Sequence, residues 1–175
     1  TQQKTILLIV QKRKLTKTIP EYNNKKYALN KNEILIFGIP ETVTQLERLY
    51  DNSRSLSELG FKVSVGTVVW NQHKDILTND ATKTRLIYSS DIKDGELTMK
   101  QYKNVDKKNF IAKEGITRPV LVLNRGYGVG TYNFQYCLIN KETNSPYLIE
   151  NRLITISPYT QSELTDDELI YLYNK

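Results

Sequence analysis

Short apolar runs of strand length recur along the chain, and this recurrence limits the folds that it can adopt. Phe61–Val65 alternates like a half-buried strand, whereas Pro119–Leu123 is apolar throughout. Short runs between polar or glycine-rich stretches are typical of β-strands. Further strands are predicted at Thr5–Gln11, Glu33–Phe37, Arg85–Tyr88, Leu97–Met99, Tyr132–Leu138 and Tyr147–Ile156, the last two as an antiparallel pair. The sequence thus predicts an α+β fold: a β-dominated domain with a mixed or antiparallel sheet and a few peripheral helices.

Helix signals are few. Pro40 begins a helical segment in which Val43, Leu46 and Leu49 are spaced for one face. A second short helix is predicted over residues 55–59, ending at Gly60, because glycine tolerates the left-handed conformation after a helix. Residues 12–32 are predicted to form a loop or hairpin, and the charged residues 100–114 an exposed segment.

The two ends of the chain suggest a piece of a longer protein. No Met precedes the first strand, and a capping box at Thr165–Glu168 opens a helix that stops at Lys175. The apolar face of that helix, formed by Leu169, Ile170, Leu172 and Tyr173, has only begun to develop there. Residues 1–40 are expected to form N-terminal strands, and residues 41–175 one compact unit.

Charge and cysteine content limit partners and compartment. The 175 residues carry a formal net charge of +6, which favours a polyanionic partner because phosphates attract a basic surface. No apolar run approaches the length of a membrane span, so no membrane association is expected. The single Cys137 excludes an internal disulfide, which makes the reducing cytoplasm the expected location.

The sequence offers little for catalysis. His73 and Cys137 are the only residues of their kinds, so a zinc site built from several such ligands cannot form. A serine or cysteine triad would have to use His73, which has no nucleophile motif around it. The glycine-rich segment 126–130 lacks the lysine of a phosphate-binding loop. We therefore assign no catalytic residue, no metal ligand and no cofactor to the chain itself.

Residues 60–77 carry the most informative polar pattern. Asn71 and Gln72 are of the types that pair with adenine in the major groove, and Lys74 can contact guanine or phosphate. Small hydroxyls and glycine amides suit phosphate contacts. An ordinary polar loop anchored in the core by Trp70 explains the same residues, and the chemistry alone leaves both interpretations open.

The segment from Gly60 to Leu77, GFKVSVGTVVWNQHKDIL, resembles an element of N6-adenine DNA methyltransferases of restriction–modification systems. In that family Gly-x-x-Val-Ser-Thr-Gly-x-Val-Val-Trp-Asn-Arg-x-Lys begins the target-recognition region after the catalytic domain. Val65 here replaces the usual Thr and Gln72 the common Arg. Further family-like segments follow in the expected order: Gln3–Ile9 is similar to the last catalytic-domain strand, Arg118–Arg125 and Tyr147–Ile156 to later strands, and Glu163–Thr165 to the helix that commonly follows.

The resemblance implies that residues 41–175 form a DNA target-recognition domain and residues 1–40 the tail of a catalytic domain. The partner would be double-stranded DNA. S-adenosylmethionine and the (Asn/Asp)-Pro-Pro-(Tyr/Phe) motif, which is absent here, would belong to a methyltransferase domain N-terminal to Thr1. The implied groove-facing residues are Ser64, Gly66, Thr67, Trp70, Asn71, Gln72, His73 and Lys74. Backbone contacts are expected from Lys62, Arg125, Tyr127 and Arg152.

Two other functions remain open. In the first, the chain is a protein-interaction module whose exposed strands and C-terminal helix dock a partner subunit. In the second, it is a small metal-dependent nuclease that uses clustered carboxylates. A contiguous basic face would favour DNA, and an exposed apolar face on the C-terminal helix would favour docking.

Overall fold

The computed structural model describes residues 23–31, 34–51, 53–125, 133–139, 146–159 and 166–174. Within these ranges the chain forms twelve short strands and two α-helices, which confirms the β-dominated α+β fold. The helices are α1 (Pro40–Asp51) and α2 (Asp166–Tyr173). The strands are β1 (Ala28–Lys31), β2 (Ile34–Phe37), β3 (Phe61–Val65), β4 (Leu77–Thr78), β5 (Thr84–Ile87), β6 (Ile92–Lys93), β7 (Glu96–Leu97), β8 (Phe110–Ile111), β9 (Val120–Asn124), β10 (Tyr136–Ile139), β11 (Tyr147–Ile149) and β12 (Leu153–Pro158). None of the described helices has the length and apolar character of a membrane span.

The chain divides into two compact units, one within Thr5–Ser55 and one containing Leu56–Lys175. In the described part of the smaller unit, β1 and β2 form an antiparallel hairpin beside α1. Val43 is fully buried, as the helical pattern predicts. Leu49 is exposed, so the buried face of α1 does not include all three residues that were predicted for it.

Two four-stranded sheets build the larger unit. The first is antiparallel, with strand order β10-β9-β12-β3, and the second is mixed, with order β11-β5-β8-β4 and a parallel pairing of β11 with β5. In the same unit, β6 and β7 pair with each other as a short antiparallel hairpin. Edge strand β3 pairs through Ser64 with Thr155 of β12.

The alternation of side chains arranges these elements in layers. Val120 and Val122 of β9 pack with Ile87 and Ile149 of the mixed sheet in one cluster. Leu121, between the two valines, faces the other way and packs with Leu169 of α2. The outer face of the mixed sheet carries a third cluster, formed by Val68, Leu86, Tyr88, Ile111 and Leu148, with Trp70 packed against it. The segment that begins at Trp70 therefore lies on the mixed sheet. The antiparallel sheet lies between this segment and α2.

The run Tyr147–Ile156 is not one strand, contrary to the sequence prediction. It breaks at Glu150, so that β11 joins the mixed sheet and β12 the antiparallel sheet. The expected pairing with Tyr132–Leu138 is also wrong, because β10 pairs with β9. Both sheets thereby share one short connection, residues 150–152.

Three further predictions need correction. Residues 100–114 are not exposed throughout, since Phe110 and Ile111 are buried in β8. Residues 55–59 form turns rather than a helix, although Gly60 has the expected left-handed backbone, with φ of 86°. In β3 only Phe61 is buried, because the cluster that includes Leu169 of α2 does not extend to Val63 or Val65. The predicted strand 5–11 and the Thr165 cap lie outside the described residues.

Candidate nucleic-acid interface

Residues 70–74, which we call the Trp70 turn, come after strand β3 in the chain. Hydrogen bonds within its own backbone hold this turn. Trp70–Gln72 is a single 3-10 turn, in which the amide of Gln72 donates to the carbonyl of Val69 and that of His73 to Trp70. These hydrogen bonds are 2.9 and 3.0 Å long. Because these backbone groups bond to each other, the turn needs no side chain to satisfy them.

The side chains of the Trp70 turn divide into anchored and exposed ones. Trp70 is half-buried against the cluster on the outer face of the mixed sheet, and His73 is also half-buried. Asn71, Gln72 and Lys74 are exposed. Trp70 therefore packs against the core, as expected of an anchored loop, and Asn71, Gln72 and Lys74 face solvent.

Lys74 already has a carboxylate partner. Its Nζ lies 2.7 Å from Oδ2 of Asp106 and 5.9 Å from the centre of the Trp70 ring. The hydrogen bond from Lys74 lowers the pKa of Asp106, so this carboxylate is ionised at neutral pH. Both partners are about half exposed, and an ion pair of this kind contributes little to stability.

The 150–152 turn, residues Glu150 to Arg152, brings several predicted residues together. The amide of Asn151 donates to the carbonyl of Val68 at 2.8 Å, which fixes the approach to Trp70. Nη1 of Arg125 donates to the carbonyl of Asn151 at 3.3 Å. Arg152 is 62% exposed, with its Nε 4.0 Å from Oε1 of Glu150. Two guanidinium groups and the Trp70 turn are thus arranged around one connection.

Gly66 has a structural role that was not predicted from the sequence. A Cβ here would lie 2.5 Å from the carbonyl oxygen of Ile149 and closer still to that of Glu150. The residue permits two backbone segments to approach each other, and its own amide is bonded to the carbonyl of Leu153 at 2.9 Å. That amide is therefore engaged within the fold.

The other predicted contacts lie along β3 or outside the described residues. Ser64 shares a hydrogen bond of 2.8 Å with Thr155, and exposed Lys62 is two positions further from the Trp70 turn. Ser64, Gly66 and Thr67 line a cavity of about 250 Å³ with Arg118 at its wall. Tyr127 lies outside the described residues.

A group of residues near the Trp70 turn was not predicted from the sequence. Tyr88, Tyr102 and the carboxylates of Asp91 and Glu150 lie within this part of the larger unit, and Lys107 packs over the tyrosine rings. The available signal was Tyr102 and the pair Phe110-Ile111, which are interleaved with the lysines of residues 100–114.

Comparison with models of protein families, with curated proteins and with solved structures gave no match. In the ranges that the structure describes, no group of three or more His, Cys, Asp or Glu side chains is placed to hold a metal ion.

Proposed function

We propose that this chain binds double-stranded DNA as the target-recognition domain of an adenine-N6 methyltransferase of a restriction–modification system. In this proposal the chain positions the duplex, and an adjoining domain N-terminal to it supplies S-adenosylmethionine and the reaction in the cytoplasm. Transfer of a methyl group to adenine requires a pocket for the flipped base, which the proposal assigns to that domain.

The observation that carries the proposal is the exposure of Asn71, Gln72 and Lys74 on a backbone-bonded turn beside two arginines. The amide side chains can each donate to and accept from the edge of adenine. Arg125 and Arg152 add positive charge next to that turn, where the phosphates of a bound duplex would pass. A preformed turn also lowers the entropy cost of ordering these side chains on binding.

The pair Lys74–Asp106 is compatible with this function. A phosphate approaching Lys74 would exchange one exposed anionic partner for another, at small cost because the existing pair is solvated. Asp106 would also repel phosphate from an incorrect register, as carboxylates do in specific interfaces.

Binding at different salt concentrations tests the proposal. The probe is a fluorescein-labelled duplex with a randomised core, followed by fluorescence anisotropy. Lys74→Ala should reduce the affinity and lower the log–log salt slope by about 0.9, the value for one phosphate contact. The matched control is Lys93→Ala, since Lys93 is also an exposed lysine with an aspartate neighbour, at 3.9 Å, but lies in β6. An unchanged slope for Lys74→Ala, or an equal effect of both variants, would contradict the assignment.

Asn71 tests specificity in the same assay. Once selection from the randomised pool has given a preferred duplex, Asn71→Ala should weaken its binding by about 1–3 kcal/mol, the range for a lost bidentate base contact. Affinity for unselected DNA should hardly change, because the substitution removes no charge. Equal weakening on both duplexes would show that Asn71 does not read sequence.

One observation favours protein docking as a second function. Among its described residues the smaller unit exposes six large apolar side chains, with Ile34 exposed to 64%: Tyr27, Ile34, Leu35, Phe37, Ile39 and Leu49. Two residues of the predicted apolar face of the C-terminal helix are engaged within the larger unit, because Leu169 is buried and Tyr173 packs on Tyr136. Absence of duplex affinity at low salt would make docking the leading function.

A further inference from the structure

The ammonium group of Lys107 lies in an aromatic enclosure. Its Nζ is 3.9 Å from the ring centre of Tyr88, 4.1 Å from that of Tyr102 and 6.0 Å from that of Trp70. The two tyrosine rings meet edge to face, 5.0 Å apart. The faces of such rings carry partial negative charge and attract cations, most strongly where water is excluded. We name these three rings the ammonium cage.

Two buried carboxylates accompany the cage. Asp91 and Glu150 are each 1% exposed. Asp91 accepts hydrogen bonds from the amide of Tyr88 at 3.0 Å and the hydroxyl of Tyr102 at 2.7 Å. Glu150 accepts one from the amide of Ser89 at 3.3 Å through Oε2, whereas its Oε1 has no hydrogen-bond partner among the described residues.

A buried carboxylate oxygen without a donor is costly unless a cation compensates it. Arg152 meets this need poorly, since it is mostly exposed and lies at the 4.0 Å limit of an ion pair. Lys107 forms no ion pair within 4.0 Å of either carboxylate, but their charges act on it: burial lowers its pKa, and Glu150 and Asp91 act in the opposite direction. The field of both carboxylates thus reaches the ammonium group inside the cage.

We propose that the ammonium cage, together with the two buried carboxylates, is a binding site for a primary ammonium ion, which Lys107 occupies as a tethered ligand. This occupation makes Lys107 a positioning residue for the Trp70 turn. Lys107 lies 6.0 Å from the centre of the Trp70 ring, and its neighbour Asp106 pairs with Lys74, so one short segment lies against both ends of the turn. The positioning role rests on the proposed DNA binding, whereas the ammonium site does not.

The ammonium site can be tested without DNA, because Trp70 is the only tryptophan and reports on the cage by its fluorescence. In the full chain, Lys107→Ala should empty the cage. Adding n-propylammonium chloride should then change the Trp70 emission saturably at millimolar concentration, relative to sodium chloride of equal ionic strength. 1-Propanol, which has the same shape without the charge, should give no saturable change.

Wild type and Lys103→Ala are the controls. Lys103 is an exposed lysine of the same segment, so its removal leaves the cage filled, and neither protein should respond to propylammonium. A folded Lys107→Ala variant without a saturable response, or an equal response in the controls, would overturn the site. If Lys107→Ala does not fold, propylammonium should restore the circular dichroism of the native protein. If propylammonium fails to restore it although Lys107→Met is folded, the ammonium site is equally overturned.

The positioning role is tested by duplex binding. Lys107→Met keeps the apolar stem of the side chain but loses its charge, and Lys103→Ala also loses one charge. We expect Lys107→Met to weaken binding several-fold more than Lys103→Ala, and Lys107→Arg to recover most of the loss because guanidinium also stacks on aromatic rings. Equal losses would refute positioning. If wild type binds no duplex, the proposed function fails, and the fluorescence experiment still decides the ammonium site.

Discussion

Replacing Gly66 by Ala should destabilise the larger unit severely, although the change adds one methyl group next to an exposed loop. The new Cβ would lie 2.5 Å from the carbonyl oxygen of Ile149 and closer to that of Glu150. Carbon and oxygen atoms normally approach to about 3.3 Å, so the two backbone segments would have to move apart by about 1 Å. Both obstructing groups are backbone atoms, which no side-chain rotation can remove.

The magnitude follows from the hydrogen bonds that such a movement breaks. Three of them join these segments: Gly66 N to Leu153 O at 2.9 Å, Val68 N to Ile149 O at 3.0 Å, and Asn151 N to Val68 O at 2.8 Å. Each contributes about 0.5–1.5 kcal/mol net, and a buried donor left without a partner costs more. We therefore expect the free energy of unfolding to fall by about 3 kcal/mol or more, a large part of the usual total of about 5–15 kcal/mol.

Urea unfolding followed by Trp70 fluorescence and by far-ultraviolet circular dichroism measures this effect. Thr67→Ala is the matched control, since Thr67 is the next residue and is exposed, and it should change the free energy by about 0.5 kcal/mol or less. A Gly66→Ala protein within about 1 kcal/mol of wild type would refute the close approach of the two segments. Gly66 would then regain its sequence-based interpretation as a phosphate contact.

Two further expectations concern buried titratable groups. Burial raises the pKa of Asp91 from its ordinary 3.8, against the hydrogen bond from Tyr102, so the native state holds this proton longer than the unfolded state. The free energy of unfolding should consequently fall as the pH rises above 3.8, until the carboxyl of the native protein ionises. Urea midpoints measured across this pH range should show the fall in wild type and not in Asp91→Asn. Burial raises the pKa of Cys137 to about 11, so at pH 8 about one molecule in a thousand carries the thiolate. Iodoacetamide should therefore modify Cys137 rapidly in urea and hardly at all in the native protein, and equal rates would contradict its burial.

Local sequence patterns located individual elements well and their partners poorly. Helix α1 and strands β5 and β9 were predicted because propensity and periodicity act within a few residues. The division of Tyr147–Ile156 between two sheets could not be predicted, since both halves are apolar and neither glycine nor proline separates them. Strand β8 was missed because two buried residues among lysines produce no period.

The candidate interface shows the same division between local and long-range information. Exposure of Asn71, Gln72 and Lys74 follows from their position in a polar run beside an anchoring tryptophan. The packing of Lys107 over rings 19 and 5 positions earlier in the sequence was not foreseeable, because a lysine in a charged segment is usually solvated. The structural role of Gly66 depends on Glu150, which is distant in sequence, so no local pattern could reveal it.

The break at Glu150 connects these features physically. By leaving one sheet at Ile149 and entering the other at Leu153, the chain places three residues between the strands, and their backbone groups can bond to other segments. Asn151 uses its amide to hold Val68 and its carbonyl to receive Arg125, while the Glu150 side chain turns inward and Arg152 remains outward. An uninterrupted strand would have committed those backbone groups to ladder pairing and alternated the side chains between two buried faces. The interruption therefore provides both the support for the exposed side chains of the Trp70 turn and the buried carboxylate near Lys107.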